Sequence, residues 1–127
     1  MKKLLLIFAI IAALPAFATR NDDNGPANFK ITKYSFGKIP QNKPVTTEFT
    51  FTNTSDKPLV IEVATAECGC TTPDYPKTPI MKGKSGVIKV TYNAANMGSF
   101  TKNVTVKFAN IASPVILTIE GEVVEKK

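Results

Sequence analysis

Residues 45–52 read Val-Thr-Thr-Glu-Phe-Thr-Phe-Thr, and this stretch decides the fold class of the chain. Val45, Phe49 and Phe51 share one parity, while polar side chains fill the other parity. Successive side chains of a β-strand point to opposite faces, so this alternation predicts a strand with one buried face. The β-branched and aromatic residues of the stretch are also those that strands favour.

Similar alternation recurs along the rest of the chain, at residues 59–64, 88–92, 104–108 and 115–120. Asn, Asp, Ser, Gly and Pro separate these runs and predict turns between them. An earlier strand is predicted at 29–36, whereas 71–81 holds three prolines without alternation and is predicted to be a long irregular connection. Short strands with frequent turns predict an all-β chain that folds as a single antiparallel β-sandwich of about seven strands.

The parity of each run also predicts which side chains form the core. One face of each strand is expected to face the other sheet, because the side-chain period of a strand is two residues. The predicted core residues are Phe49, Phe51, Ile61, Val63, Val90, Tyr92, Val106, Phe108, Leu117 and Ile119.

The N-terminus has the pattern of a cleavable signal peptide, at residues 1–18. Two lysines precede an apolar run at residues 4–14, Pro15 follows, and small residues lead to a predicted cleavage between Ala18 and Thr19. The apolar segment is shorter than the about 20 residues that a transmembrane helix needs. The sequence therefore predicts an exported protein of the periplasm, the cell envelope or the extracellular space, with no membrane span after processing.

The predicted domain boundaries follow from these elements. After the signal peptide (1–18) we predict a flexible tail at 19–28, an immunoglobulin-like sandwich at 29–124 and a short C-terminal tail at 125–127. A chain of 127 residues, 43% of them hydrophobic, is long enough for one domain with a core of its own.

Composition argues against several classes of function. The chain contains no His, so the commonest general base and the commonest metal ligand are both missing. We therefore predict a non-enzymatic protein without catalytic, cofactor-binding or metal-binding residues. The formal net charge is +6, but the lysines are scattered along the predicted strands, as on a solvated sheet face, so no nucleic-acid partner is expected. The predicted partner is another envelope or secreted protein.

Cys68-Gly69-Cys70 is the one motif in this sequence whose side chains could react or bind a metal. Three interpretations remain open: a local disulfide, a dithiol that binds a soft metal such as Cu(I), with Met81 and Met97 as further ligands, or two cysteines that act as small hydrophobic side chains. Residues i and i+2 of an extended strand lie about 6.6 Å apart, so a disulfide requires the backbone to turn. We expect that turn at Gly69, with a positive φ.

A disulfide between Cys68 and Cys70 is the favoured interpretation, because an exported chain meets an oxidising environment. Closing so short a loop contributes only about 1.6 kcal/mol by the loop-entropy estimate. The pair is therefore expected to shape its loop or to exchange with other thiols, and the short ring is expected to be reduced more easily than a long-loop disulfide.

Residues 34–124 resemble a large family of short secreted proteins of Gram-negative bacteria, known as a domain of unknown function. The resemblance rests on segments spread over the chain, which are 36–39, 49–54, 58–61, Cys68-Gly69-Cys70-Thr71-Thr72-Pro73, 75–76, 79–80, Gly83, 86–90, 98–102 and 117–123. It implies an immunoglobulin-like sandwich, similar to major sperm protein and periplasmic chaperone domains, and an envelope location. It implies no settled activity.

Two hypotheses of function follow. The first is an interaction or envelope-assembly module that uses sheet edges and end loops, as immunoglobulin-like domains do. The second is a periplasmic thiol–disulfide or Cu(I)-binding protein that uses Cys68 and Cys70. The absence of a Cys-x-x-Cys helix start argues against a thioredoxin-type enzyme.

Overall fold

Eight strands form within residues 25–126, the range that the structure, a computed structural model, describes. The predicted signal peptide and its cleavage site at Ala18 and Thr19 lie outside this range. The strands are β1 (Ala27–Phe29), β2 (Lys33–Pro40), β3 (Val45–Asn53), β4 (Ile61–Ala66), β5 (Thr71–Asp74), β6 (Ser85–Tyr92), β7 (Gly98–Phe108) and β8 (Val115–Val124). Sheet structure therefore begins at Ala27, inside the segment predicted as the tail at 19–28. Over the same range, no helix reaches the length and hydrophobicity needed to cross a bilayer.

The strands form two four-stranded sheets that pack face to face. Sheet A has the order β1-β3-β6-β5, and sheet B has the order β2-β8-β7-β4. All neighbouring strands are antiparallel except β2 and β8, which run parallel. The predicted all-β sandwich is confirmed, with one parallel pair at the edge of sheet B.

The core lies between the sheets and is built from the predicted parity. Nine of the ten predicted core residues are buried, among them Phe49, Phe51 and Leu117, whose side chains are inaccessible to solvent. Three phenyl rings meet at one end of the core, where the ring of Phe51 lies 5.3 Å from that of Phe29 and 5.6 Å from that of Phe108, measured between centroids.

Val63 is the exception, and its prediction as a core residue is wrong. Ile61 pairs with Phe108, but Val63 pairs with Lys107, so β4 holds an extra residue at Glu62. Such a bulge moves every later side chain of the strand to the opposite face. Val63 is consequently 40% exposed, and the following residues of inward parity are two partly buried alanines, Ala64 and Ala66.

Two predicted segments also differ from the structure, because pairing with distant strands decides where the strands within them begin and end. Residues 29–36 are not one strand: β1 pairs with β3 in sheet A, and β2 pairs with β8 in sheet B. Residues 71–81 are not wholly irregular, since Thr71–Asp74 forms the edge strand β5. Pro73 is tolerated there because one side of an edge strand needs no ladder hydrogen bonds.

Candidate functional site

The Cys68-Gly69-Cys70 segment forms the corner at which the chain passes from sheet B to sheet A. The strand before it, β4, is an edge strand of sheet B, and the strand after it, β5, is an edge strand of sheet A. We call residues 67–71 the cysteine corner. Because its ends belong to different sheets, the corner joins the two layers of the sandwich along one side.

Backbone hydrogen bonds hold the cysteine corner at three points. The Glu67 amide donates to the Asn103 carbonyl of β7 at 3.3 Å, and the Asn93 amide donates to the Cys70 carbonyl at 2.9 Å. The Thr71 amide donates to the Cys68 carbonyl at 3.4 Å, which closes a four-residue turn. The corner is thus tied to both sheets by its backbone.

The turn brings the two cysteines together. Their Sγ atoms lie at bonding distance, with the Cα atoms 5.2 Å apart, inside the range of about 4.4–6.8 Å that disulfides span. Gly69 is not among the glycines with a positive φ, so the expectation of a left-handed glycine here is wrong. The chain reverses by the hydrogen-bonded turn instead, and a Cβ atom at Gly69 would meet nothing within 4 Å.

The two sulfurs have different surroundings. Cys68 and Cys70 are both half-buried, but only Cys70 belongs to the group of side chains packed against the core. The Thr71 hydroxyl lies 3.6 Å from the Cys70 Sγ atom, and Thr71 is only 3% exposed. The sequence did not single out Thr71, because its parity relative to the core becomes clear only once β5 is known to pair with β6.

Met81, one of the two methionines named above as further Cu(I) ligands, does not lie beside the cysteines. It lies before β6, whereas Cys70 is hydrogen-bonded to Asn93, just after β6. The two ends of a strand as long as β6 lie roughly 25 Å apart. In the described part of the chain, no group of three or more His, Cys, Asp or Glu residues is arranged to hold a metal ion.

A second feature lies on the opposite side of the sandwich, at the outer edge of β3. The short strand β1 pairs only with residues Phe51, Thr52 and Asn53 of β3, and the Lys30 amide adds one bond to the Thr50 carbonyl at 3.1 Å. Within residues 25–126, no strand pairs with residues 45–49 on the side away from β6. We call residues 45–49 the open edge.

Aromatic side chains extend from the core toward the side of the sandwich that holds the open edge. Tyr34 pairs with Ile119, so it shares the inner face of sheet B, yet it is 38% exposed. Its ring lies 5.0 Å from Phe36, which lies 6.5 Å from Phe100. Phe100 stacks on Tyr92 at 3.9 Å, and Tyr92 is the ladder partner of Val45, the first residue of the open edge.

Solved structures show the same architecture. ASH/PapD-like domain 7 of human CEP192 has a TM-score of 0.69 at 6% sequence identity, with 80% of this chain and 87% of that chain covered. A protein of unknown function from Porphyromonas gingivalis W83 has a TM-score of 0.67 at 14% identity, with 76% of this chain and 46% of that chain covered. The VesB protease of Vibrio cholerae has a TM-score of 0.64 at 15% identity, with coverages of 80% and 33%.

At these identities the likeness shows the fold alone, and the chain spans less than half of the Porphyromonas and Vibrio structures. No protein with a curated description matches the sequence. The model of a protein family does match, and it confirms the resemblance noted from the sequence. This family is described as "Protein of unknown function (DUF1573)", its model covers residues 27–123, from the first residue of β1 into the end of β8, and the chain therefore belongs to it.

Proposed function

We propose that this domain is an exported, non-enzymatic interaction module that binds an extended segment of another envelope or secreted protein at the open edge. The observation that carries the proposal is the shortness of β1: among the strands of residues 25–126, none pairs with residues 45–49 of β3 on the side away from β6. A sheet edge of this kind offers backbone donors and acceptors to an added strand, which is a common mode of peptide recognition.

The exposed aromatic side chains also support the open edge as the binding site. Tyr34 faces inward like its buried partner Ile119 but remains 38% exposed, and Phe36 and Val45 are only partly buried. A strand added beside β3 would cover apolar area of this kind, and burial of apolar area is the main driving force of association. Both edges of sheet B and the far edge of sheet A carry devices that discourage pairing. These are the irregular register between Ser35 and Lys38 in β2, the bulge at Glu62 in β4 and Pro73 in β5.

Charge favours an acidic partner. Lys30, Lys38 and Lys43 are exposed in the segments that border the open edge. Without residues 1–18, which hold Lys2 and Lys3, 14 basic and 10 acidic residues leave a formal charge of +4. Complementary charge raises the association rate and helps to fix the register of a bound segment. We expect the bound segment to alternate apolar residues, which cover Phe36 and Val45, with acidic residues.

A displayed library of random peptides, selected on the purified domain, tests this proposal. Selected peptides should show the alternation, and their binding should protect the amides of residues 45–49 from hydrogen exchange. Tyr34→Arg should weaken binding at least tenfold. The matched control is Ile116→Arg, since Ile116 is 46% exposed in β8 but faces outward beside Thr105.

Protection at β4 or β5 instead of β3 would contradict the proposal. Equal loss of binding in the Tyr34→Arg and Ile116→Arg proteins would also contradict it. Both variants alter exposed positions, so the fold of each is expected to survive, and circular dichroism checks this.

A further inference from the structure

We propose that the cysteine corner is a thiol–disulfide exchange site with a fixed polarity, in which an incoming thiolate attacks Cys68 and Cys70 leaves as the thiolate. The proposal rests on one contact and one asymmetry. The contact is the 3.6 Å hydrogen bond between the Thr71 hydroxyl and the Cys70 Sγ atom. The asymmetry is the packing of Cys70, but not Cys68, against the core.

Thr71 occupies an unusual place for a hydroxyl group. It faces inward as the ladder partner of Tyr92 and is 3% exposed. Among the described residues, its hydroxyl makes a single hydrogen bond, to the Cys70 Sγ atom. A sulfur in a disulfide carries no hydrogen, so the hydroxyl must be the donor. Buried hydroxyl groups usually find strong acceptors, whereas a disulfide sulfur is a weak acceptor.

The weakness of that bond in the oxidised form points to a role in the reduced form. A hydrogen bond to an ionised acceptor is roughly twice as strong as one between neutral groups. The Thr71 hydroxyl therefore gains most when Cys70 becomes a thiolate, which makes Cys70 the better leaving group. Because Thr71 is held in the β5–β6 ladder, the donor is in position before the reaction begins.

Access favours attack at the other sulfur. Gly69 is exposed, and apart from its two chain neighbours a Cβ atom placed at this residue would meet nothing within 4 Å. This open space lies beside both cysteines, and Cys68 is not among the side chains packed against the core. Cys70, in contrast, is partly covered by the core. Access to the attacked sulfur and stabilisation of the leaving sulfur both select Cys68 as the target.

The reaction balances with a dithiol as the second reactant. One thiolate of the dithiol forms a bond to the Cys68 Sγ atom, the bond between the cysteines breaks, and its electron pair remains on Cys70. The second thiolate of the dithiol then attacks the first sulfur of the dithiol, and Cys68 leaves as a thiolate. The dithiol is oxidised to a disulfide, the two cysteines are reduced, and the two protons of the dithiol pass to the protein thiols or to water. The reverse sequence reduces a disulfide partner by two electrons and forms the bond between Cys68 and Cys70 again.

The test uses the full exported protein and two uncharged probes, dithiothreitol and 2-mercaptoethanol. Brief reaction with 2-mercaptoethanol, an acid quench and alkylation of free thiols should place the mixed disulfide on Cys68 and the alkyl group on Cys70, as read from peptide masses. This measurement needs no variant, so it does not depend on any mutant being able to fold. A mixed disulfide mainly on Cys70, or equal labelling of both cysteines, would overturn the proposed polarity.

Two variants test the role of Thr71. Thr71→Val keeps the shape and removes the hydroxyl, and it should slow reduction by dithiothreitol by about tenfold. Thr71→Ser keeps the hydroxyl and should react within about twofold of the wild-type rate. If Thr71 had only a structural role, the two variants could differ from the wild type in stability. Reduction by dithiothreitol would then not be slow in Thr71→Val and fast in Thr71→Ser. Equal rates in the wild-type and Thr71→Val proteins, or two free thiols in the exported protein, would overturn the proposal.

Discussion

The ring of Phe51 occupies the space that a side chain at Gly86 would need. The two residues are partners in the β3–β6 ladder, and a Cβ atom at Gly86 would lie 2.6 Å from Cζ of Phe51 and 2.9 Å from its Cε1. Both residues are buried, and the ring of Phe51 packs into the space that the missing side chain of Gly86 leaves free. This close packing explains why a residue that usually weakens a strand is found in β6.

Replacing Gly86 with Ala should therefore destabilise the domain. A Cβ atom at Gly86 would overlap the fully buried ring of Phe51, so the ring would have to shift. The added methyl group should cost about 1–3 kcal/mol of unfolding free energy. The control is Gly69→Ala, where a Cβ atom meets nothing within 4 Å and φ is not left-handed. That variant should be unchanged or more stable by up to about 1 kcal/mol. Urea unfolding measures both, and an equal loss in the two variants would contradict the packing described.

The bulge in β4 predicts a clear difference between two valines. Val63 is 40% exposed, whereas Val106 is inaccessible to solvent. Val63→Ala should change the unfolding free energy by less than about 0.5 kcal/mol. Val106→Ala deletes the same atoms from the core and should cost about 2 kcal/mol. The opposite order in chemical denaturation would mean that β4 pairs without the bulge at Glu62.

Asn53 should be a major contributor to stability, although it is polar and lies at the end of β3. It is fully buried, its Nδ2 donates to the carbonyls of Lys57 and Ile80 at 2.8 Å each, and its Oδ1 accepts from the amide and hydroxyl of Ser55. Asn53→Ala removes all four hydrogen bonds and leaves the Ser55 amide without its acceptor, although the Ile80 carbonyl keeps the Leu59 amide and the Lys57 carbonyl keeps the Ser55 hydroxyl. The change should cost roughly 2–4 kcal/mol. Asn28→Ala, at an exposed position of β1, should cost less than about 0.5 kcal/mol. Similar melting temperatures for the two variants would show that this network contributes little.

Removing both sulfurs should leave the fold intact. The double variant Cys68→Ser and Cys70→Ser should lose about 1–2 kcal/mol, as expected for so short a loop, because backbone hydrogen bonds also hold the corner to Asn93 and Asn103. Circular dichroism and urea unfolding under oxidising conditions measure the effect. A double variant that does not fold would identify the pair as a structural requirement.

The mature protein should begin at Thr19, after removal of residues 1–18. The basic start, the apolar run and the small residues before Thr19 motivate this prediction. Intact-mass measurement of the exported protein checks it, and retention of Met1 would contradict it. A Lys2→Glu, Lys3→Glu variant, which reverses the charge before the apolar run, should be exported and processed less efficiently.

The sequence alone determined the sandwich and most of its core. Strand side chains alternate with a period of two, so the local order of apolar and polar residues in β3, β6, β7 and β8 was enough to assign the buried face. The same reasoning failed at Val63, because a bulge is a property of the pairing between β4 and β7 and leaves no mark in the alternation of β4 itself. It also failed at β5, where Pro73 concealed an edge strand that exists through its pairing with β6.

Both candidate sites depend on contacts between distant segments. The sequence identified Cys68 and Cys70, since they are its only two cysteines and a single glycine separates them. Only the tertiary structure showed that they join edge strands of different sheets and that the Thr71 hydroxyl contacts one sulfur and not the other. The open edge of β3 likewise exists because β1 leaves sheet A after three residues. Local periodicity predicts which face of a strand is buried, whereas the edges and corners of a sandwich are set by long-range pairing, which no local pattern encodes.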